Sequence, residues 1–465
     1  MSADRKNKLI FAIWALAVVL ADIGAYVAVI AARLALNDFK TPPHTLQAKC
    51  VLAAAFAASG LLTAFFIWRQ RSAIKRGGRY VLIVIGLMAM VLFAFGLAGR
   101  PVGSVDNYWN TLMARGWALQ GRNPYLTVPL DLNGDPVFKL TAREWEKTPM
   151  MYGPLWNLAA AAPAWLLRSP DAAIFGMKAL VGLAYFGAGL LLAAWLRRRG
   201  NPNANVFLAA WLLNPAGIFE AVNAGHNEGF LLLPLAVAVI GLKDKRPGLA
   251  LPGISAAALV KIWPLALLPA LAGLRRAGRR GWLVGLAWSA ALAGSYAFFW
   301  DGPRMLATLA DRIGILSVPL FSPGYALIWR AFDWVGHARG LDAVTASANQ
   351  TAIALLLATA IAVGWLSLKG RVSPLAAAAA MMAVFMFVAV NWLEPWYLLA
   401  FWPLLVPAPD EAGLKRLIVS SAALTTAGFA AYATTWPYIA AAAAALAVGW
   451  LVYKDADERA ARKRP

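Results

Sequence analysis

The sequence predicts an all-α, polytopic membrane protein, and three observations carry that prediction. The 465 residues are 61% hydrophobic and only 14% charged, with a mean hydropathy of +0.62, whereas a soluble domain carries about 25% charged residues. Many separate runs reach the roughly 17–25 apolar residues that a helix needs to cross a bilayer. The Lys and Arg residues sit in short clusters between those runs: "DRKNK", "RQRSAIKRGGR", "RRRG", "KDKR", "RRAGRR", "KGR" and the terminal "KDADERAARKRP". That distribution is the positive-inside signature of cytoplasmic loops. The net charge of +21 therefore reports topology rather than nucleic-acid binding. Cys50 is the single cysteine, which excludes an intramolecular disulfide or a cysteine-based metal site.

The elements follow in order. The run at about 9–32 is too long for a signal h-region and no cleavage site follows it, so it reads as a retained helix with its N-terminus in the cytoplasm. Runs at about 51–68 and 80–99 then place residues 100–152 outside as a first external loop with short amphipathic helices. The run 154–167 is short, and reads either as re-entrant or as a full crossing. One span at 172–196 returns to Arg197, Arg198 and Arg199; 204–220 exits, and 229–242 returns to "KDKR". The stretch 248–274 starts and ends at basic clusters, which predicts two half-helices broken near Lys261 and Pro264. A span at 281–300 leads to a second external segment, 301–349. Spans near 350–368, 373–391, 396–408, 414–432 and 437–453 follow, and the tail 454–465 is cytoplasmic. The total is about 14 spans, an even number that agrees with two cytoplasmic termini. No Gly/Ser linker interrupts the chain, so 1–465 reads as a single integral membrane domain, with 1–99 as its N-terminal helices.

Polar residues gather at the external ends of these helices. Residues 105–125 read "VDNYWNTLMARGWALQGRNPY", so a carboxylate, Asp106, stands at the mouth of the third span with Tyr108 behind it. "MYGPLW" holds Tyr152; "NPAGIFEAVNAGHNEGF" holds Asn223, His226, Asn227 and Glu228; "WDGPRMLATLADR" holds Arg304 and Arg312; and "NWLEPWY" holds Glu394, Trp396 and Tyr397. Ionisable groups at membrane depth are costly and mark functional sites by default. Each also has a plain structural reading. Asp106 suits a helix N-cap, Glu394 suits the first turn of the helix that Pro395 starts, and Trp396 and Tyr397 suit an interfacial aromatic belt. Lys261, a lone cation in "ALVKIWPLALLPAL", either snorkels to the cytoplasmic side or meets a carboxylate or lipid phosphate. Asp22, inside the first span, is expected to pair with a basic group on a neighbouring helix.

An external cavity with these groups suits transfer chemistry on carbohydrate. A hydroxyl acceptor needs a base, an anomeric carbon passes through a cation-like state that carboxylates stabilise, and a phosphate leaving group needs Arg or Lys. Arg115, Arg122, Arg304 and Arg312 are the candidates for phosphate, and the aromatic faces offer sugars apolar contact with a polar edge. The chain carries neither G-x-x-x-x-G-K-[ST] nor a G-x-G-x-x-G between strand and helix, so an activated donor is expected to arrive through the membrane on a lipid.

Five stretches in order from about 100 to 408, "DNYWNTLMARGWALQGRNPY", "TPMMYGPLWNLAAAAPAWLL", "NPAGIFEAVNAGHNEGF", "LVKIWPLALLPAL" and "NWLEPWYLLAFWPLL", resemble the GT-C class of membrane glycosyltransferases. Within it they are most similar to the bacterial polyprenol-phosphate-mannose-dependent mannosyltransferases, a family-87-like group. The resemblance implies a GT-C-like helical bundle in the bacterial inner membrane whose first external loop carries the catalytic aspartate, a role that falls on Asp106. It implies a polyprenyl-phosphate-linked sugar donor, most readily mannose, an inverting transfer to a hydroxyl of a glycolipid or glycan acceptor, and no cofactor. The chain departs from much of the class in placing two spans before the one that delivers Asp106. A lipid or oligosaccharide flippase or transporter is the first rival, but it should show repeat symmetry with matched broken helices, and only 248–274 is clearly broken. An O-antigen polymerase or ligase is the second, for which the segment 301–349 supplies Arg304, Arg312, Arg330, Arg339 and His337.

Overall fold

In a computed structural model, residues 3–35, 46–101, 104–303, 323–336, 341–389 and 394–433 are described. They are mostly helical, with no strand among them. The helices are α1 (Ala3–Ala35), α2 (Leu46–Arg76), α3 (Arg79–Ala98), α4 (Asp106–Gln120), α5 (Pro154–Leu166), α6 (Pro170–Arg198), α7 (Ala204–Leu212), α8 (Pro215–Asn223), α9 (Asn227–Lys243), α10 (Pro247–Ala258), α11 (Arg279–Ala293), α12 (Pro323–Gly336), α13 (Leu341–Leu368), α14 (Pro374–Val384) and α15 (Glu411–Ala433). Four of the intervening pieces, Trp263–Leu274, Gly294–Phe299, Phe385–Ala389 and Pro395–Leu405, are 3₁₀ or π turns that carry the chain onward.

Five helical stretches among the described residues are long and apolar enough to cross a membrane: Asp4–Ala28, Arg79–Ala98, Pro170–Arg198, Arg279–Phe299 and Asp342–Leu368. The pair α7 and α8, bent by 46° at Leu213 and Asn214, makes a sixth if it is counted as one span. The α3 helix has 20 residues, and at 1.5 Å per residue it is about 30 Å long, the thickness of the hydrocarbon core. Long apolar helices present large side chains outward, with Leu183 of α6 63% and Ile361 of α13 75% exposed, as lipid-facing helices do. By contrast α5 has 13 residues and reaches only about 20 Å, less than a crossing. The stretch 248–274 is broken at residues 259–262 into α10 and the 3₁₀ segment Trp263–Leu274, where Pro264 removes a backbone donor.

The helix boundaries follow local chemistry. Pro170, Pro215 and Pro374 each occupy the first helical turn, and the residue before each supplies the cap: Ser169 to Ala172, Asn214 to Ala216 and Ser373 to Ala376. Proline at that position lacks only a donor that would be unsatisfied anyway. Arg197 and Arg198 close α6, where cations complement the negative end of the helix dipole.

The chain divides into two compact units. The first comprises 1–151, 156–233 and 405–435, and the second 152–155, 234–404 and 436–465. In the first, α2 packs along α1 and α15, with Gly60 so close to Thr425 that a Cβ would lie 2.6 Å from its methyl. Asp22 in α1 accepts a hydrogen bond from Ser59 in α2, both buried, so its neighbour is a hydroxyl rather than the basic group that the sequence suggested. In the second unit α9 and α10 meet through small residues. A Cβ on Gly241 would stand 2.2 Å from the Ala250 nitrogen, and one on Gly253 2.5 Å from the Ala238 nitrogen. Backbones that approach this closely gain dispersion contacts that a bilayer cannot replace. Gly253→Val should therefore force α9 and α10 apart at a cost of about 1–3 kcal/mol, read as a lower thermal midpoint of the purified protein in detergent. An unchanged midpoint would contradict this packing.

Candidate active site

The site is built from the end of α3 onward. A helix C-terminus leaves orphan carbonyls, and here side chains from two other elements take them. The Asn223 amide donates to the Gly96 carbonyl at 3.1 Å. The buried Lys178 ammonium, from the middle of α6, donates to the carbonyls of Leu97, at 3.0 Å, and of Gly99. The end of α3 is thus pinned on two sides. A few residues later the chain starts α4 at Asp106.

Asp106 does not cap α4. The N-cap position is Val105, no side chain caps it, and Asp106 is the first helical residue. Its backbone N–H donates to the Ser104 hydroxyl at 3.1 Å. The carboxylate, 20% exposed, points instead to His226, with Oδ2 3.6 Å from Nδ1. On the other side of the ring Nε2 lies 3.5 Å from Oε2 of Glu220. His226 and Glu220 are both buried, as is Glu228 two residues on.

Local backbone explains how His226 comes to face two carboxylates. Ile218–Asn223 is a π-helix, an expanded turn that recurs at functional sites. It ends with the Ala224 N–H bonded to Phe219 O at 2.8 Å, and the His226 N–H returns to Glu220 O at 3.0 Å. Gly225 between them has φ +68°, a left-handed conformation that costs a residue with a side chain. A Cβ there would also stand 2.4 Å from Nδ2 of Asn107 and 3.4 Å from the Lys178 stem. The turn thereby folds His226 back over Glu220 while α4 delivers Asp106 from the opposite side.

Burial alone would lower the His226 pKa. The Asp106 hydrogen bond and the charges of Glu220, Asp106 and Glu228 outweigh that and hold it above the ordinary histidine value. The imidazolium is therefore fully present below the ordinary histidine range and is lost as pH rises through the raised value.

The first loop is fastened to α4. Gly121 ends the helix in a left-handed conformation, with bonds from Gly121 N–H to Trp117 O and from Arg122 N–H to Gly116 O, a Schellman-type close. Tyr125 is buried and Arg122 is exposed. Three short 3₁₀ turns follow at Pro129–Leu132, Pro136–Leu140 and Arg143–Trp145. Arg115 is committed to this architecture. It donates to Asp135 at 2.8 Å and to the Arg168 carbonyl at 2.6 Å, and both members of the ion pair are buried. The fully buried Trp156 donates to the Asn110 side chain at 2.8 Å. Tyr108 and Asn227 are buried as well.

The other sequence-selected residues lie in the second unit. The Gly153 N–H donates to Val260 O and the Leu155 N–H to Leu259 O, each at 3.0 Å, so Tyr152 is held at the break after α10. The Lys261 ammonium stands 5.2 Å from the Tyr152 ring and 4.1 Å from the Tyr397 ring, within cation–π range of both. Tyr397 bonds back to the Glu394 carbonyl at 3.0 Å and meets Trp396 edge to face at 6.3 Å. Tyr152, Lys261, Glu394, Trp396 and Tyr397 thus gather in one unit, and Asp106, Asn223, His226, Asn227 and Glu228 in the other. Arg304 and Arg312 lie outside the described residues. Among the described residues no group of three or more His, Cys, Asp or Glu side chains is disposed to hold a metal ion.

Sequence reasoning missed two participants. Glu220 lies inside the quoted "NPAGIFEAVNAGHNEGF" but reads as one carboxylate on an apolar helix, and only the π-turn brings it to His226. Lys178 gives the same signal as Lys261, a lone cation in an apolar run.

A family model described as "Alpha-(1->6)-mannopyranosyltransferase, N-terminal domain" matches residues 11–276, more than half of the chain. No curated protein and no solved structure matches.

Removing one member of a buried ion pair leaves an uncompensated charge, at a cost of about 3–5 kcal/mol. Arg115→Met should therefore lower the thermal midpoint strongly. Adding Asp135→Asn, which keeps the bond to the Val137 N–H, should recover much of the loss. A double variant no more stable than Arg115→Met would show that the pair does not fasten the loop.

Proposed function

We propose, from the premise that this chain belongs to the alpha-(1->6)-mannopyranosyltransferase family, that it moves mannose from a polyprenyl-phosphate donor to a hydroxyl of a glycolipid or glycan on the extracytoplasmic face of a bacterial inner membrane, with Asp106 as the base. The observation that carries the reading is the placement of Asp106. It stands inside the start of α4 rather than at its N-cap, is partly exposed, and faces a buried histidine at 3.6 Å.

The reaction divides into bond changes that these residues suit. The acceptor oxygen attacks the anomeric carbon of mannose from the face opposite the phosphate. The bond from that carbon to the phosphate oxygen breaks, and polyprenyl phosphate leaves with the electron pair. The acceptor proton passes to the Asp106 carboxylate. A carboxylate can do this only while ionised, and a cationic neighbour favours the ionised form. His226 with its raised pKa supplies that neighbour. Asn107, Asn223 and Asn227 are buried, and Tyr108 lies on the same helix as Asp106.

Lys261 is the described cation best suited to the anionic part of a lipid-linked donor. Its partners in the structure include the faces of Tyr152 and Tyr397, which stabilise the ammonium without neutralising it. Arg122, exposed after the α4 C-cap, is a second. Arg115, already paired with Asp135, serves the loop instead. Arg304 and Arg312 keep the role that the sequence gives them.

Asp106→Asn separates this reading from a structural one. Asparagine has nearly the same size and keeps a side-chain oxygen as an acceptor. Positioned proton removal contributes about 10²–10⁴-fold in rate. The variant should fold with an unchanged thermal midpoint and bind donor, while mannosyl transfer falls at least about a hundredfold. Full transfer by Asp106→Asn would remove Asp106 from the mechanism.

A further inference from the structure

We infer that Glu220 is a positioning residue of this enzyme: through His226 it holds an imidazolium against Asp106 and so keeps the proposed base ionised. The inference rests on the reading of Asp106 just given and adds a residue to it.

Geometry argues for it first. His226 lies between two carboxylates on opposite sides of its ring, 3.6 Å from Asp106 at Nδ1 and 3.5 Å from Glu220 at Nε2. At 3.5 Å the Nε2–Glu220 contact is an ion-pair distance rather than a hydrogen bond, so Glu220 acts on the ring through its charge. A ring with a carboxylate on each side is stabilised as the imidazolium. That backbone is specific. The π-turn, the left-handed Gly225 and the bond from His226 N–H to Glu220 O place the Glu220 side chain under the ring of a residue six positions later.

Charge argues for it second. The groups that face His226 are Asp106 from α4, Glu220 from the π-turn and Glu228 from α9. Lys178 of α6 has its stem beside Gly225, but its ammonium is bound to the carbonyls that end α3. From α1, Tyr26 lies within electrostatic reach of Glu220 and of Asp22, whose carboxylate is bound to Ser59. Three carboxylates therefore converge on one imidazole. Were the ring neutral, like-charge repulsion in a buried setting would drive one carboxylate to take up a proton. Desolvation would put that proton on a buried carboxylate first, and the charged ring instead keeps the cluster ionised, including Asp106, which at 20% exposure against 3% for Glu220 is the carboxylate open to acceptor. Glu220 keeps the ring charged and aimed, and Asp106 stays ionised to receive the acceptor proton.

The test uses the full-length protein in nanodiscs with isotope-labelled histidine. Only His44, His226 and His337 contribute signals, and His226→Gln identifies the one that matters. An opposite charge within about 4–6 Å shifts a pKa by about 1–3 units. Glu220→Gln should therefore lower the His226 titration midpoint by at least about one pH unit. It should also lower kcat for mannosyl transfer near neutral pH, with donor KM unchanged. An unmoved His226 midpoint overturns the inference, as does an unchanged kcat. Should Glu220→Gln fail to fold, Glu220→Asp decides the matter: its carboxylate is one methylene further away, and a smaller fall in the same direction is expected, while no fall overturns it. The histidine titration needs no turnover. Failure of the base reading, seen as full transfer by Asp106→Asn, is therefore distinct from failure of the role given to Glu220.

Discussion

The rest of the site depends on one constraint: a buried imidazole must be held between carboxylates inside a largely apolar protein. Charges removed from water are costly unless paired and hydrogen-bonded. Asp106, Glu220 and Glu228 around His226 are tolerable only in a framework that fixes their separations. The framework is visible in the bonds around the cluster. Lys178 and Asn223 take the carbonyls at the end of α3, which sets where α4 begins. The π-turn sets where Glu220 and His226 lie relative to each other.

Close backbone packing keeps that framework rigid. A Cβ on Gly96 would meet Val222 at 3.0 Å, one on Gly229 would meet Ala221 at 2.5 Å, and one on Gly217 would meet the Tyr185 hydroxyl at 2.1 Å. Glycines in α3, α8 and α9 therefore clamp the expanded turn from several sides. The Tyr185 hydroxyl in turn donates to the Trp211 carbonyl, and the two rings stack at 5.5 Å. Small residues at helix crossings are the usual means of tight association where apolar burial offers little. Here they also hold the expanded turn that leads to His226. The Arg115–Asp135 pair does for the first loop what the glycines do for the turn.

Much of this was legible in the sequence, for identifiable reasons. Run length and the basic clusters predict a helical membrane protein, and the described residues are mostly helical, with no strand and with several spans of the required length. Polar residues at the ends of apolar runs single out Asp106, His226 and Glu228, which do converge. Prolines at 264 and 269 and a lone lysine single out the break at 259–262. What was not legible depended on distant partners or on turn geometry. Arg115 looks like a phosphate ligand because its partner Asp135 is twenty positions away and only folding of the loop brings them together. Glu220 looks like an isolated charge because helical periodicity does not anticipate a π-turn. Asp106 looks like a cap because Asp is a favoured cap residue, and the structure starts the helix one residue earlier than that reading requires. The number of crossings also resists run-length reasoning, since α5 is 13 residues long and α7 and α8 are bent against each other.

The central claim is that this site acts on a sugar carried by a lipid phosphate rather than by a nucleotide. The most direct measurement gives the purified protein in nanodiscs two donors in parallel, polyprenyl-phosphate mannose and a nucleotide-linked mannose, with a mannosylated glycolipid acceptor. Transfer is followed by radiolabel in the extracted product. The account predicts transfer from the polyprenyl donor with no nucleotide sugar present, release of polyprenyl phosphate in equal amount, and inverted configuration at the new linkage. Transfer from the nucleotide-linked sugar alone would contradict it.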